Sequence, residues 1–236
     1  MHTYYGELCT KIYESDKSIA AAKDKNIQVL EPMCGNGRML IPFMQNGVNI
    51  EGFDISKDML KVCKDKAEKL NLKPLVSQGR IEKYYSDKKY DLIMIPIGSF
   101  SLLPNNLVGV SLKNMKNNLK ENGKLLLTVV QGGSETEQIL DWIETNRKEI
   151  NNELIIEYRK VSSDEAQKLL NIKLKYEIIH DKKIVETEVM DFPIRLYDLK
   201  EFENILIANG FSQIVVHEIK DGYGVGNSFH VFECSI

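Results

Sequence analysis

The sequence predicts an α/β fold: a doubly wound, seven-stranded, mostly parallel sheet that carries an antiparallel β insertion. Three observations lead there. Ile27-Gln-Val-Leu-Glu-Pro-Met-Cys-Gly-Asn-Gly-Arg-Met-Leu40 reads as a buried strand, a tight glycine turn and the start of a helix, and Ile50-Glu-Gly-Phe-Asp54 as a second strand ending on an acid. From there to Val130, apolar runs alternate with helical periodicity at lengths that suit parallel crossovers. Beyond Asn151 the pattern switches to strict apolar/polar alternation, the mark of half-buried antiparallel strands.

The elements follow in order. Thr3–Glu14 reads as a short helix with Tyr5, Leu8 and Ile12 at helical spacing, and Ser15-Asp16 caps a second through Ile19–Ala22. The first strand is Ile27–Glu31, and Pro32 keeps helix from starting before the glycines. A helix from Arg38 ends at Asn46-Gly47, and the second strand runs Val48–Asp54. Ser56 is an N-cap, Asp58 suits the first turn, and Met59, Cys63, Ala67 and Leu70 form one stripe. Lys73–Gln78 is the third strand and Tyr90–Ile95 the fourth, an apolar run bounded by Pro96 and Gly98. After Pro104, Val108, Leu112, Met115 and Leu119 mark the buried face of a helix that Asn122-Gly123 ends, and Lys124–Val130 is the fifth strand.

Glu135–Lys148 reads as helical. Leu154–Arg159, Ile172–Ile178 and Val185–Val189 are the alternating strands, with His180-Asp-Lys-Lys183 as a hairpin turn. A helix over Asp198–Ala208 and strands over Phe211–Glu218 and Ser228–Cys234 close the chain, with the glycine-rich loop Asp221–Gly226 between those strands. The organisation is one domain over 1–236, with a helical cover at 1–24 and the antiparallel insertion at 151–191.

Composition narrows the classes. A chain of 236 residues with 43% hydrophobic and 28% charged residues suits a globular protein with a sizeable core. No apolar run approaches the ~20 residues of a membrane helix, and Met1–Glu7 has neither a basic nor an apolar signal region. A cytoplasmic location is expected. A net charge of −3 lacks the basic footprint of nucleic-acid binding. Cys9, Cys34, Cys63 and Cys234 form no C-x-x-C pair, so no metal site is expected.

The glycine turn and the second strand suit an adenosine-type ligand. Glycines let backbone approach it, and a carboxylate accepts from ribose hydroxyls. A nicotinamide or flavin fingerprint needs a third glycine where Leu40 stands, and here Glu31 directly precedes the loop. Glu31-Pro-Met-Cys-Gly-Asn-Gly-Arg38 resembles motif I of the class I S-adenosylmethionine-dependent methyltransferases, with Met33 in place of the first glycine. Gly52–Leu60 resembles the family's second motif, Tyr90–Phe100 its fourth-strand motif and Leu119–Leu127 its entry to strand five.

The resemblance spans Ile27–Val130 and implies a Rossmann-like methyltransferase fold with S-adenosyl-L-methionine as cofactor. It implies Asp54 on the ribose, Ile55 and Met59 beside the adenine, and Glu31, Gly35, Gly37, Gln78, Ile81 and Pro96 as further cofactor-binding positions. Where the family often has an acid for the adenine amino group, this chain has Arg80, so Gln78, Glu82 or a backbone carbonyl must supply the acceptor. The 1–24 segment resembles the part that folds over the cofactor in similar enzymes. The insertion resembles the substrate-side cover of small-molecule methyltransferases, which serves as a lid or as the surface of a homodimer.

Methyl transfer from a sulfonium depends chiefly on placing a nucleophile ~3 Å from the methyl, in line with the leaving sulfur. A base is needed only where the nucleophile must shed a proton. Tyr5, His180 and Arg195 are the candidates, with Tyr4, His217, His230 and Tyr223 behind them; a packing or surface role is at least as good a reading for the tyrosines of the first helix and for Arg195, and a solvated turn is the better one for His180. The expected activity is methyl transfer to N or O of a small molecule. Rival readings are a non-catalytic protein that binds S-adenosylmethionine or S-adenosylhomocysteine, a nicotinamide-dependent oxidoreductase, and a methyltransferase acting on RNA or protein. The Pro-Pro motif of amino-methylating DNA enzymes and the Pro-Cys of cytosine enzymes are both absent.

Overall fold

The glycine turn leads out of a strand buried on both faces. That strand, β1 (Val29–Pro32), has no exposed position, as expected for a parallel strand covered by helices. The structure, a computed structural model, describes residues 27–132, 138–150, 153–220 and 228–236. The helical cover read at 1–24, with Tyr4 and Tyr5, lies outside the described residues, as does Tyr223.

After β1 come α1 (Leu40–Gln45), β2 (Ile50–Asp54), α2 (Lys57–Glu68), β3 (Leu75–Gln78), β4 (Tyr90–Ile95), α3 (Asn105–Asn118) and β5 (Leu119–Thr128). Then follow β6 (Ile139–Ile150), β7 (Glu153–Asp164), β8 (Leu169–His180), β9 (Lys183–Arg195), α4 (Leu199–Ala208), β10 (Ser212–Ile219) and β11 (Phe229–Ser235). They divide into two units. One holds a seven-stranded sheet of order β10-β11-β5-β4-β1-β2-β3, and the other a four-stranded sheet of order β6-β7-β8-β9.

In the larger unit β1, β2, β3, β4 and β5 are parallel, and β11 runs antiparallel to β5 and to β10. The chain winds outward from β1 through β2 to β3, then restarts at β4 on β1's other side. That reversal opens a crevice beyond the carboxyl ends of β1 and β4. Local chemistry sets the helices that flank it. The Ser56 side chain accepts from the Met59 amide at 3.2 Å, Asp58 sits in the first turn of α2, and Leu60, Cys63 and Ala67 are its buried stripe. Gly47, with φ +79°, follows the end of α1. Phe202 of α4 meets Phe100 and Phe232 edge-on at 5.8 and 5.0 Å, all three fully buried.

In the smaller unit all four strands pair antiparallel. The His180–Lys183 turn is a hairpin as read, with Asp181 and Lys182 both left-handed at φ 48° and 62°. Two expectations are corrected. Residues 139–148, read as part of a helix, belong to strand β6. Register shifts between Ile139 and Ile143 and between Glu144 and Asn146 break the twofold alternation, leaving an apolar spacing that mimics a helix. Asn122-Gly123 does not end a helix: α3 stops at Asn118 and the pair lies inside β5. A Cβ on Gly123 would stand 2.8 Å from the Tyr90 carbonyl oxygen, so close backbone approach explains that glycine.

Candidate functional site

The turn after β1 is built on left-handed backbone. Met33, Gly35 and Gly37 have φ of 58°, 51° and 75°. Met33 therefore takes the geometry a glycine would take, at a steric cost of roughly 1–2 kcal/mol. The turn is pinned to β2 at two points: the Cys34 amide donates to the Phe53 carbonyl at 3.1 Å, and the Gly35 amide to Asp54 Oδ2 at 2.8 Å. Asp54 Oδ1 accepts from the Ser56 amide at 2.9 Å, so the carboxylate at the β2 tip is oriented from both sides. Gly37 is the tightest point, since a Cβ there would lie 2.5 Å from Cys63 Sγ. On Gly35 it would lie 3.4 Å from Met59 Cε.

Around Asp54 the surface is apolar. Ile55, just past the end of β2, is 56% exposed and Met59, in the first turn of α2, 42%. Gln78 stands opposite Asp54 in the β2–β3 register, and its side-chain amide donates to the Ile55 carbonyl at 2.9 Å. Arg80 binds Glu82 at 2.5 Å. Burial acts to raise the Glu82 pKa, but the Arg80 guanidinium overrides it and holds the carboxyl below its ordinary value.

Ile81 is buried, and its carbonyl accepts from the Asn114 side chain at 2.7 Å, as does that of Tyr84 at 2.9 Å. Pro96 is buried at the β4 tip. Beyond it, Ile97 and Gly98 are left-handed, and the Gly98 amide donates to the buried Thr128 hydroxyl at 2.6 Å.

Glu31 is the unusual group. It is 2% exposed, and its Oε2 has no hydrogen-bond partner among the described residues. Burial drives its pKa well above the ordinary carboxylate value, the negative Asp54 acts in the same direction, and the Leu40 amide opposes them. Desolvation also pushes up the Cys34 and Cys63 thiols, and Glu31 adds to both shifts.

Thus Glu31, Gly35, Gly37, Asp54, Ile55, Met59 and Gln78 come together at neighbouring strand tips, with Pro96 at the end of β4 beside β1. The two described catalytic candidates lie in the smaller unit and do not meet each other. His180 is exposed at the β8–β9 turn, 3.5 Å from Asp181. Arg195 pairs with Leu169, eleven residues back along β8, which is about 36 Å at strand rise. Its guanidinium lies 5.2 Å from the Tyr197 ring. His217 binds Glu233 at 2.8 Å and is an ion-network residue of β10 and β11.

Sequence reasoning missed Asn114 and Thr128. The available signal was a polar residue on or beside a buried stripe: Asn114 next to Met115, and Thr128 ending an apolar strand. No group of three or more His, Cys, Asp or Glu fit to hold a metal ion occurs among the described residues.

Comparison with known proteins agrees with this geometry. A family model described as a methyltransferase domain matches residues 23–188. Malonyl-[acyl-carrier protein] O-methyltransferase 2 of Ilyobacter polytropus is 32% identical over 171 residues, covering 70% of this chain and 61% of that protein. The chain spans between 33% and 61% of the length of the curated relatives it matches. Among solved structures, an S-adenosylmethionine-dependent methyltransferase from Clostridium acetobutylicum superposes with a TM-score of 0.69 at 16% identity, covering 98% of this chain and 97% of that one. A sugar N-methyltransferase from a Streptoalloteichus species gives 0.77 at 13%, covering 100% and 87%. With more than half of its length inside the family model, the chain belongs to the methyltransferase-domain family and has the Rossmann-like fold of solved S-adenosylmethionine-dependent methyltransferases.

Proposed function

We propose that the chain transfers the methyl group of S-adenosylmethionine to a nitrogen or oxygen of a small-molecule acceptor, chiefly by positioning. The observation that carries the reading is the cradle at the β1 and β2 tips, where the Gly35 amide, the Asp54 carboxylate and the exposed faces of Ile55 and Met59 meet. The residues fit the cofactor. A buried carboxylate oxygen on Glu31 has no partner among the described residues, and the turn has room where a side chain on Gly35 would stand. Asp54 would hold the ribose hydroxyls, since each of its oxygens keeps an acceptor site besides its amide bond. Ile55 and Met59 would flank the base. Gln78 would supply the adenine acceptor in place of Arg80 and Glu82, which satisfy each other.

When bound, S-adenosylmethionine supplies a methyl group already activated by the positive sulfur. The chain's part is to hold that end still against the Met33–Gly37 turn and to keep water from it, which suits a site with no converged acid–base pair among the described residues. Relatives named as O-methyltransferases and a fold neighbour named as a sugar N-methyltransferase support N or O of a small molecule as the acceptor class. The four-stranded sheet would serve on the substrate side as a cover or as a homodimer surface. Three cysteines without disulfide partners, Cys34, Cys63 and Cys234, support a reducing, cytoplasmic setting. No helix among the described residues is long and apolar enough to cross a membrane.

The test pairs calorimetric titration of S-adenosylmethionine and NADH with transfer of labelled methyl to a metabolite pool. Binding of S-adenosylmethionine with label transfer is expected. Binding without turnover would assign the chain to the non-catalytic reading, and NADH binding in its place would overturn the proposal.

A further inference from the structure

Residues 79–89, between β3 and β4, form no helix or strand. Backbone groups outside regular structure must find partners elsewhere, and in this segment one side chain supplies two of them. The Asn114 side-chain nitrogen, reaching across from α3, donates to the Ile81 carbonyl at 2.7 Å and to the Tyr84 carbonyl at 2.9 Å. A carboxamide nitrogen carries two N–H bonds, so both are committed to this segment. Its two ends are tied to other elements. The Gly79 amide donates to the Asp54 carbonyl at 3.0 Å. The Tyr84 ring stacks on Phe53, the residue before Asp54, with centroids 4.0 Å apart, and its hydroxyl lies 2.9 Å from that of Tyr90. Between these ends the Lys83 amide closes a turn on the Arg80 carbonyl at 3.0 Å. A peptide group is planar, so fixing the Ile81 carbonyl also fixes the plane from which Glu82 departs toward Arg80. Asn114 therefore governs where the Arg80–Glu82 pair stands relative to Gln78.

We propose that Asn114 is a positioning residue for base recognition: from α3 it fixes the course of residues 79–84, and thereby which acceptor meets the amino group of a bound adenine. The inference rests on the reading that this site takes S-adenosylmethionine with its base at Ile55 and Met59, and adds to it a residue that acts through the segment and not on the ligand. Removing the two donors leaves the Ile81 and Tyr84 carbonyls without partners, and the segment shifts until water reaches them. The adenine amino group then loses a matched acceptor. A purine with a carbonyl in place of that amino group has no such bond to lose. Base selectivity, more than overall affinity, is what Asn114 protects. Asn118 gives the contrast: its side-chain nitrogen donates to the Asn114 backbone carbonyl at 2.8 Å, a bond internal to α3.

Calorimetric titration of the full chain with S-adenosylhomocysteine and with S-inosylhomocysteine, which has a carbonyl where adenine has its amino group, tests this. Wild type should favour the adenine ligand by about tenfold or more, since a site that hydrogen-bonds an N–H rejects the analogue without it. Asn114→Leu keeps a side chain of similar size and removes both donors. It should bind S-adenosylhomocysteine about tenfold more weakly and S-inosylhomocysteine within about twofold of wild type, so the selectivity collapses. Asn114→Ala, read the same way, takes its place if the Leu variant does not fold. Asn118→Ala should lower the Tm and keep the wild-type selectivity. S-adenosylhomocysteine bound by the folded Asn114 variant as tightly as by wild type would overturn the proposal and leave the cofactor reading standing. So would both ligands weakened by one factor, a wild type without selectivity, or an equal loss of selectivity in Asn118→Ala. Binding of neither ligand by the wild type would overturn the cofactor reading, and the proposal with it.

Discussion

At the residue scale, Asp54 and Gly37 carry the sharpest expectations. Replacing Asp54 by Ala removes the oriented carboxylate and should weaken S-adenosylmethionine binding by about 1.5–3 kcal/mol, the range of charge-assisted hydrogen bonds. Titration of a variant whose circular dichroism is unchanged checks this, and full affinity would remove Asp54 from the ribose. Gly37→Ala adds a Cβ 2.5 Å from Cys63 Sγ on backbone at φ +75°. It should cost about 2 kcal/mol, a fall in Tm of about 4–8 °C by thermal melt. Both residues were readable in advance because their chemistry is local: an acid ending a strand, and a glycine where the backbone must turn left-handed. Met33 was readable only as an anomaly. Its backbone reproduces the glycine geometry, and a residue's type does not reveal that strain is tolerated. Glu31 was readable as an acid before the loop, whereas its unpartnered oxygen depends on what packs around it.

At the scale of elements, the β8–β9 turn and the β5–β11–β10 edge make separate claims. Asp181 and Lys182 are both left-handed, the backbone of a type I′ hairpin, whose second position favours glycine. Lys182→Gly should therefore stabilise the chain by roughly 0.5–1 kcal/mol, measured by urea denaturation. Along the other edge, Lys124 and His217 both reach Glu233 at 2.8 Å. Burial works to raise the Glu233 carboxyl, and the two partners outweigh it, so its pKa falls below the ordinary value.

A depressed carboxyl contributes stability above its unfolded pKa, about 4.3, and loses it as pH falls through the lower folded value. Glu233→Gln should thus cost about 1 kcal/mol at pH 7, and the gap to wild type should close in acid. A gap independent of pH would show that the ion network contributes little. The parallel elements were legible because burial on both faces writes continuous apolar runs, as in Tyr90–Ile95. Strand β6 was not, because two register shifts remove the alternation by which a strand is recognised.

At the scale of the molecule, the two sheets differ in what the sequence says about them. The seven-stranded unit carries the motifs that resemble the family's in its turns, and those turns have spacing that can be read. The four-stranded unit alternates apolar and polar residues in a pattern that encodes burial, and burial does not name an acceptor. A ligand at the strand tips should therefore act on one unit first. With S-adenosylmethionine at a hundredfold its Kd, stability should rise by about 2.7 kcal/mol. Gained hydrogen-exchange protection should concentrate at the Met33–Gly37 turn, Asp54–Ser56 and Gln78. Protection gained equally along β6–β9 would contradict that placement.

The packing of Cys63 Sγ into the hollow over Gly37 also makes the chain its own reporter. A thiol with no exposed surface reacts with an alkylating reagent only when something opens, and here the thing that must open is the wall of the Met33–Gly37 turn. Cys234 in β11, likewise buried, times the opening of the far side of the sheet. The ratio of the two labelling rates, read peptide by peptide in a mass spectrometer, is a clock for breathing at the site, and it needs no probe that evolution has not already installed.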